Sequence, residues 1–125
     1  MPGEVKRAVR VAERVREELS ILLAREVRDP RVLGVVIARV EMTDDLRTVR
    51  AYVRVLEGGD DEARRKDLLT GLGKAAGLLR REVTRRLALR AAPEFRFFYD
   101  EGQDALTRIE ALLEEVKKDD KRRGS

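Results

Sequence analysis

Ala8, Ala12, Val15, Leu19 and Leu22 recur at intervals of four, three, four and three residues. At about 100° per residue this spacing gathers them on one stripe of a helix predicted over roughly 5–27. Lys6, Arg7, Arg10 and Arg14 fall on the opposite side of the wheel, and the acids Glu17, Glu18 and Glu26 enter further along. The first half of the helix is therefore its basic half. Asp29-Pro30-Arg31 ends it, because a proline disfavours helical geometry in the residue before it and has no N–H to donate.

The period then changes to two. Val36, Ala38, Val40 and Met42 alternate with Val35, Ile37, Arg39 and Glu41, a strand whose apolar face is predicted to be the first set. Thr43-Asp44-Asp45-Leu46 reads as a turn, since aspartates bond to nearby backbone amides. In the next strand Val49, Ala51, Val53 and Val55 are predicted inward, and Thr48, Arg50, Tyr52 and Arg54 outward. The two strands form a hairpin.

After the loop Glu57-Gly58-Gly59-Asp60, Asp60 or Asp61 is placed to cap a helix starting near Glu62. Helical spacing runs through Leu68, Leu69 and Leu72 and again through Leu78, Leu79, Val83 and Leu87. Between them lie Gly71, Gly73 and Gly77, each costing a helix interior about 1 kcal/mol relative to alanine. This predicts a break or kink and two helices. Ala92-Pro93 stops the second. Phe95, Phe97 and Tyr99 alternate with Arg96 and Phe98 in a short third strand; the four aromatics could stack on bases, but those facing the helices belong more often in the core. Gln103 or Asp104 opens a last helix with Ala105, Ile109, Leu112 and Val116 on one face. Residues 1–116 are thus expected to form one α+β domain with helices on one face of a three-stranded sheet, and 117–125 a charged flexible tail.

Composition narrows the chemistry. With 42% hydrophobic and 42% charged residues the chain is too apolar to be disordered and too charged for a membrane protein. Absence of cysteine excludes a disulfide framework and thiolate chemistry, and absence of histidine removes the usual proton shuttle. No stretch approaches the roughly 18 apolar residues of a membrane span, so the cytoplasm is the expected compartment.

The net charge of +4 is modest, but its distribution is not. Between Lys74 and Arg90 stand Lys74, Arg80, Arg81, Arg85, Arg86 and Arg90 against the single acid Glu82, whereas seven acids face two arginines from Glu94 to Val116. A basic side opposite an acidic one suits an oriented contact with a polyanion, and guanidinium groups offer fork-shaped donors to phosphate. The basic start of the first helix is a second such set. Arg50 and Arg54 read more readily as dressing of a sheet face. Asp44, Asp45 and Asp100 are the one carboxylate group that suggests metal or acid–base chemistry, but nothing in the sequence brings Asp100 to the other two. Ala75-Ala76-Gly77 is as consistent with close packing as with function.

The order helix, strand, strand, helix, helix, strand is similar to the type II KH topology, yet the GxxG loop that clamps nucleic acid in KH domains is missing. Ala75-Ala76-Gly77 stands in its place. In this the chain resembles the bacterial ribosome-binding factor A family, whose KH-like fold replaces the loop by a helix kink with an Ala-x-Gly motif. Asp29-Pro30-Arg31, Thr43-Asp44-Asp45-Leu46, Ala51-Tyr52-Val53, Gly77-Leu78-Leu79-Arg80 and 89–97, followed by Asp100 and the helix through Arg108-Ile109 and Leu112-Leu113, match in order over about 5–116. Leu78-Leu79 and Ala92 depart from the residues common there and touch packing only.

The resemblance implies a non-enzymatic monomeric assembly factor. Such a factor binds the free small (30S) ribosomal subunit late in maturation, assists 16S rRNA processing and contacts that RNA near its 5′-terminal helix. Small-subunit ribosomal proteins or other assembly factors are further partners. The RNA-binding set expected is Lys6, Arg7, Arg10, Arg14, Lys74, Ala75, Ala76, Gly77, Arg80, Arg81, Arg85, Arg86 and Arg90, with no catalytic residue, metal, cofactor, small-molecule substrate or membrane. A ribosome-bound regulator, a generic KH-like RNA binder and an apolar protein-interaction module remain as alternatives. A phosphodiesterase is disfavoured by the lack of histidine.

Overall fold

The computed structural model describes residues 2–101 together with 113 and 116. The stripe from Ala8 to Leu22 lies on α1 (Pro2–Arg25) and is buried along its whole length. A 3-10 turn (Pro30–Val32) follows, then β1 (Val35–Met42), β2 (Thr48–Val55), α2 (Glu62–Arg86) and β3 (Glu94–Tyr99). The sheet order is β1-β2-β3, with β1 antiparallel and β3 parallel to the central β2. A parallel neighbour cannot be reached by a tight turn, and α2 is the crossover that makes the pairing possible. In the core, Val49, Ala51 and Val53 of β2 meet Val15, Leu19 and Leu22 of α1 and Leu68, Leu72, Leu79 and Val83 of α2.

Two expectations are corrected. The predicted break at residues 71–77 does not divide the helix, for α2 is one element from Glu62 to Arg86. Burial of an unbroken stripe from Leu68 to Val83 outweighs the helical cost of the glycines. One of those glycines has a packing role as well. A Cβ on Gly71 would stand 3.1 Å from both Arg31 Cβ and Val32 Cγ1, so the bare backbone lets α2 seat against the 3-10 turn. The second correction concerns β1. Val35, Val40 and Met42 pack on the core and Ile37 is buried, while Arg39 and Glu41 sit on the other side. The pairing register slips between Ile37 and Arg39, and this bulge reverses the alternation at Ala38. The predicted last helix and the tail from 117 lie outside the described residues, apart from Leu113 and Val116, which are helical.

The helix ends show how local chemistry fixes the path. Asp61 caps α2, its carboxylate accepting from Ala63 N at 2.9 Å. At the other end Ala88 N donates to Arg85 O and Leu89 N to Thr84 O, at 3.2 and 3.0 Å, which is a Schellman motif. Its left-handed residue is normally glycine, but here it is Ala88 at φ 53°. A left-handed alanine costs about 1–2 kcal/mol. Ala88→Gly is therefore expected to raise stability by roughly 1 kcal/mol, measured as a higher urea midpoint with an unchanged slope.

Asp29 caps the 3-10 turn by accepting from Arg31 N at 2.9 Å. The Arg31 guanidinium also closes on the carboxylate, with Nη2 at 2.6 Å and Nε at 3.0 Å. That hydrogen bonding, from the side chain first and the backbone second, lowers the Asp29 pKa from 3.8 to about 2. A depressed carboxylate stabilises the fold fully above its unfolded pKa and loses that contribution as pH falls through its folded one. Asp29→Asn is thus expected to lower the denaturation midpoint at pH 7, and the difference from the parent should vanish as pH falls from about 4 towards 2.

Candidate nucleic-acid interface

The basic residues predicted on α1 and α2 do not behave as one set. On α1, Lys6, Arg7, Arg10 and Arg14 are all exposed, and none has an ion-pair partner among the described residues. On α2 the helical period places Lys74, Gly77, Arg81 and Arg85 on the stripe opposite the buried leucines. Arg80 lies beside that stripe and Arg86 on the core-facing side of the helix, and both are tied down. Arg80 Nη2 donates to Ala92 O at 2.9 Å, holding the chain that leads into β3. Arg86 reaches across to α1, with Nη1 3.3 Å from Glu18 Oε2, and also approaches Glu82 at 3.8 Å. Arg85 donates to the same Glu82 at 2.6 Å but keeps a side chain 68% exposed. The hydrogen bond from Arg85, with the charges of Arg85, Arg86 and Arg81 behind it, holds the Glu82 carboxyl below the usual carboxylate range.

Sequence spacing reveals Glu82 as the local acid but carries no sign of Glu18, which arrives from another helix. Arg86 is accordingly a clamp between α1 and α2 first. Lys74, Arg81 and Arg90 remain exposed with no ion pair among the described residues.

The three small residues separate in the same way. Ala75 packs against the core. Gly77 is exposed, and a Cβ there would meet nothing within 4 Å. Close helix packing therefore explains Gly71 and not Gly77. Standing between Lys74 and Arg81 on an open stripe, Gly77 leaves room for a ligand backbone to approach the helix.

The residues brought closest are those most distant in sequence. Arg7 and Arg14 of α1, Arg90 after α2 and Arg47 of the β1–β2 turn line one cleft of about 540 Å³, floored by Val11 and Leu87. Asp45 is the one acid in its lining, and its carboxylate is occupied. It accepts from Thr43 Oγ1 at 2.7 Å and Arg47 N at 3.0 Å, bonds that hold its pKa below the ordinary value in that order. Leu46 at φ 61° and Ala88 at φ 53°, the two non-glycine residues with positive φ among those described, both line this cleft. Left-handed backbone at such residues costs energy and persists only where surrounding structure holds it, commonly at binding sites. Sequence reasoning finds Arg7, Arg14 and Arg90 but misses Arg47. The signal available is Asp45, whose side chain fixes the amide of Arg47 two residues on and so sets the direction in which that arginine leaves the turn.

The three carboxylates Asp44, Asp45 and Asp100 do not form a group. Asp45 lines the basic cleft, whereas Asp100 lies at the end of β3, its N–H donating to Val53 O at 2.8 Å. Among the described residues no group of three acids stands where it could hold a metal ion, and no described helix is long and apolar enough to cross a membrane. Phe95, Phe97 and Tyr99 pack on the core as expected, while Phe98 points the other way.

Comparison with known proteins gives one family. The model for ribosome-binding factor A matches residues 7–113. A ribosome-binding factor A from Sorangium cellulosum is 57% identical over 117 residues, covering 94% of this chain and 94% of the relative. Among solved structures, a Thermotoga maritima protein described as a ribosome-binding factor A, determined by solution NMR, superposes with a TM-score of 0.65 at 31% identity. It covers 79% of this chain and 92% of that one. A Thermus thermophilus ribosome-binding factor A, fitted as a homology model into a cryo-EM map of its complex with the 30S subunit, gives a TM-score of 0.52 at 23% identity, covering 73% and 97%.

Proposed function

Because the chain belongs to the ribosome-binding factor A family, we propose that it is a non-enzymatic assembly factor that binds the free 30S ribosomal subunit. On this reading it assists late 30S maturation and efficient 16S rRNA processing in the cytoplasm. A Thermus thermophilus relative is described in complex with the 30S subunit. In this chain the observation that carries the reading is the cleft where Arg7, Arg14, Arg47 and Arg90 converge around a single, internally satisfied acid.

Four guanidinium groups from three separate segments form a fixed array of forked donors spaced over a concave surface. Such an array suits phosphates of a folded RNA better than one anion. Lys6, Arg10, Lys74, Gly77 and Arg81 extend the same contact over the exposed helix faces, with Ala75 and Ala76 shaping the helix beneath. Arg80, Arg85 and Arg86 contribute field more than direct contact, since each already has a protein partner. Phosphate contact supplies affinity without address, so selection of the site, near the 5′-terminal helix of 16S rRNA, falls to RNA shape and neighbouring ribosomal proteins.

The fold is read within the same proposal as the type II KH arrangement with its GxxG loop replaced by the Ala75–Gly77 stretch of α2. Residues 1–116 form one unit including a C-terminal helix, and 117–125 a tail. Co-sedimentation of the protein with separated 30S, 50S and 70S particles across a salt series tests the function. Binding confined to free 30S subunits and weakened by salt is the expected result. Equal binding to every particle reduces the protein to a general polyanion binder. A regulator without a maturation role is recognised by depletion that leaves no precursor 16S rRNA accumulating.

A further inference from the structure

The sheet face turned away from the helices carries an array that the basic cleft does not use. Because Val49, Ala51 and Val53 face the core, Arg50, Tyr52 and Arg54 project on the opposite side of β2. Arg39, Tyr52 and Phe98 are partners in register across β1, β2 and β3, and they form a continuous stack. The Arg39 guanidinium lies 4.0 Å from the centre of the Tyr52 ring, and the Tyr52 and Phe98 rings are stacked with centroids 5.4 Å apart at 27°. Phe98 remains 40% exposed at the sheet edge.

One row along the strands, about 7 Å away, Arg50 stands directly opposite Arg96. Like charges in that position repel each other. On its other side Arg50 faces Glu41 in register, but Glu41 pairs with Arg39 at 3.1 Å and Glu94 with Arg96 at 3.3 Å, and Arg50 has no ion pair among the described residues. In the row on the other side, the buried Nε of Arg54 has no hydrogen-bond partner there. Asp60, Asp100 and Glu101 line the same hollow as Arg54, which leaves Arg50 beside the exposed Phe98 ring, a pairing that matches a ligand joining flat rings to negative charge.

We propose that this open sheet face binds an unpaired RNA segment, one base stacking on the free face of Phe98, which ends the Arg39–Tyr52–Phe98 stack, while a flanking phosphate meets Arg50. A duplex hides its base faces in its own stack, so the site selects single strands. The proposal does not rest on the ribosomal reading, since it stands on side chains outside the helix-side cleft.

The test uses the full-length protein and a short oligouridine. Binding is read as the fluorescence anisotropy of an end-labelled oligouridine. Oligouridine is expected to bind, and Phe98→Ala and Arg50→Glu each to weaken binding roughly ten-fold or more. Phe98→Leu, which keeps an apolar group against Tyr52 but removes the ring face, should weaken it similarly while leaving the thermal midpoint near that of the parent. Tyr52→Phe, which keeps a ring behind Phe98, should retain binding. Parental affinity in Phe98→Leu, or equal competition by a base-paired hairpin, overturns the proposal. So does a ribosomal protein captured through Phe98 when oligouridine is not. Failure to co-sediment with 30S particles would overturn the assembly-factor reading and leave this one standing.

Discussion

Replacing Arg7, Arg14, Arg47 and Arg90 together by glutamate is expected to lower affinity for free 30S subunits by at least about a hundred-fold at moderate salt. Every arginine–phosphate pair that is broken removes roughly 0.7–0.9 from the slope of log affinity against log salt, so the dependence should flatten by up to about 3. Co-sedimentation over a salt series measures both quantities. All four residues are exposed, so the thermal midpoint should change little. Alanine at Arg85 and Arg86, by contrast, should weaken binding less than about ten-fold, because Glu82 and Glu18 already neutralise them. If the order of the two variants is reversed, the contact lies on the α2 stripe and not in the cleft.

The largest effect on stability is expected at Leu72. It is fully buried where α2 meets the rest of the core, next to Gly71 and its contact with the 3-10 turn. Leu72→Ala loses the transfer energy of the removed carbons and leaves a cavity, at a cost of about 2–5 kcal/mol. Urea unfolding should show the loss as a lower midpoint, and the thermal midpoint should fall by on the order of 10 °C or more. Leu33, 71% exposed, provides the contrast. Its replacement by alanine should change stability by no more than about 0.5 kcal/mol.

The core around Leu72 and the arginine cleft differ in how far they can be read from the chain. The stripe on α1, the hairpin, an aspartate cap on α2 at Asp60 or Asp61 and the inward alternation of β2 are all legible, because each follows from the period and turn chemistry of adjacent residues. The bulge at Ala38 is not. It adds one residue to a strand whose first four positions, Val35 to Ala38, are all aliphatic, so both phases look apolar up to the bulge. The undivided α2 escapes for a related reason. Helix propensity counts each glycine as a cost, whereas Gly71 is required by a turn forty residues earlier in the chain. At the candidate site the type of contact is legible from the imbalance between Lys74 and Arg90. The selection among those residues is not, since it depends on Glu18, Ala92 and Arg47 arriving from elsewhere. Parallel pairing of β3 with β2 likewise has no local signature.

That pairing has a consequence for the order in which the molecule can be made. Synthesis proceeds from the N-terminus, so α1 and the β1–β2 hairpin emerge while the outer edge of β2 still lacks its neighbour. The edge cannot close until the whole of α2 has followed and carried the chain back to the same end of the sheet. Meanwhile it presents free N–H and C=O groups and Val49 and Val53 still without the leucines of α2, a template on which another nascent chain could add a strand. Arg50 and Arg54 alternate with those valines, and two copies of the segment brought edge to edge would oppose their arginines. Arg50, read on the finished sheet as a contact for RNA, thus also guards, with Arg54, the half-made sheet against its own copies.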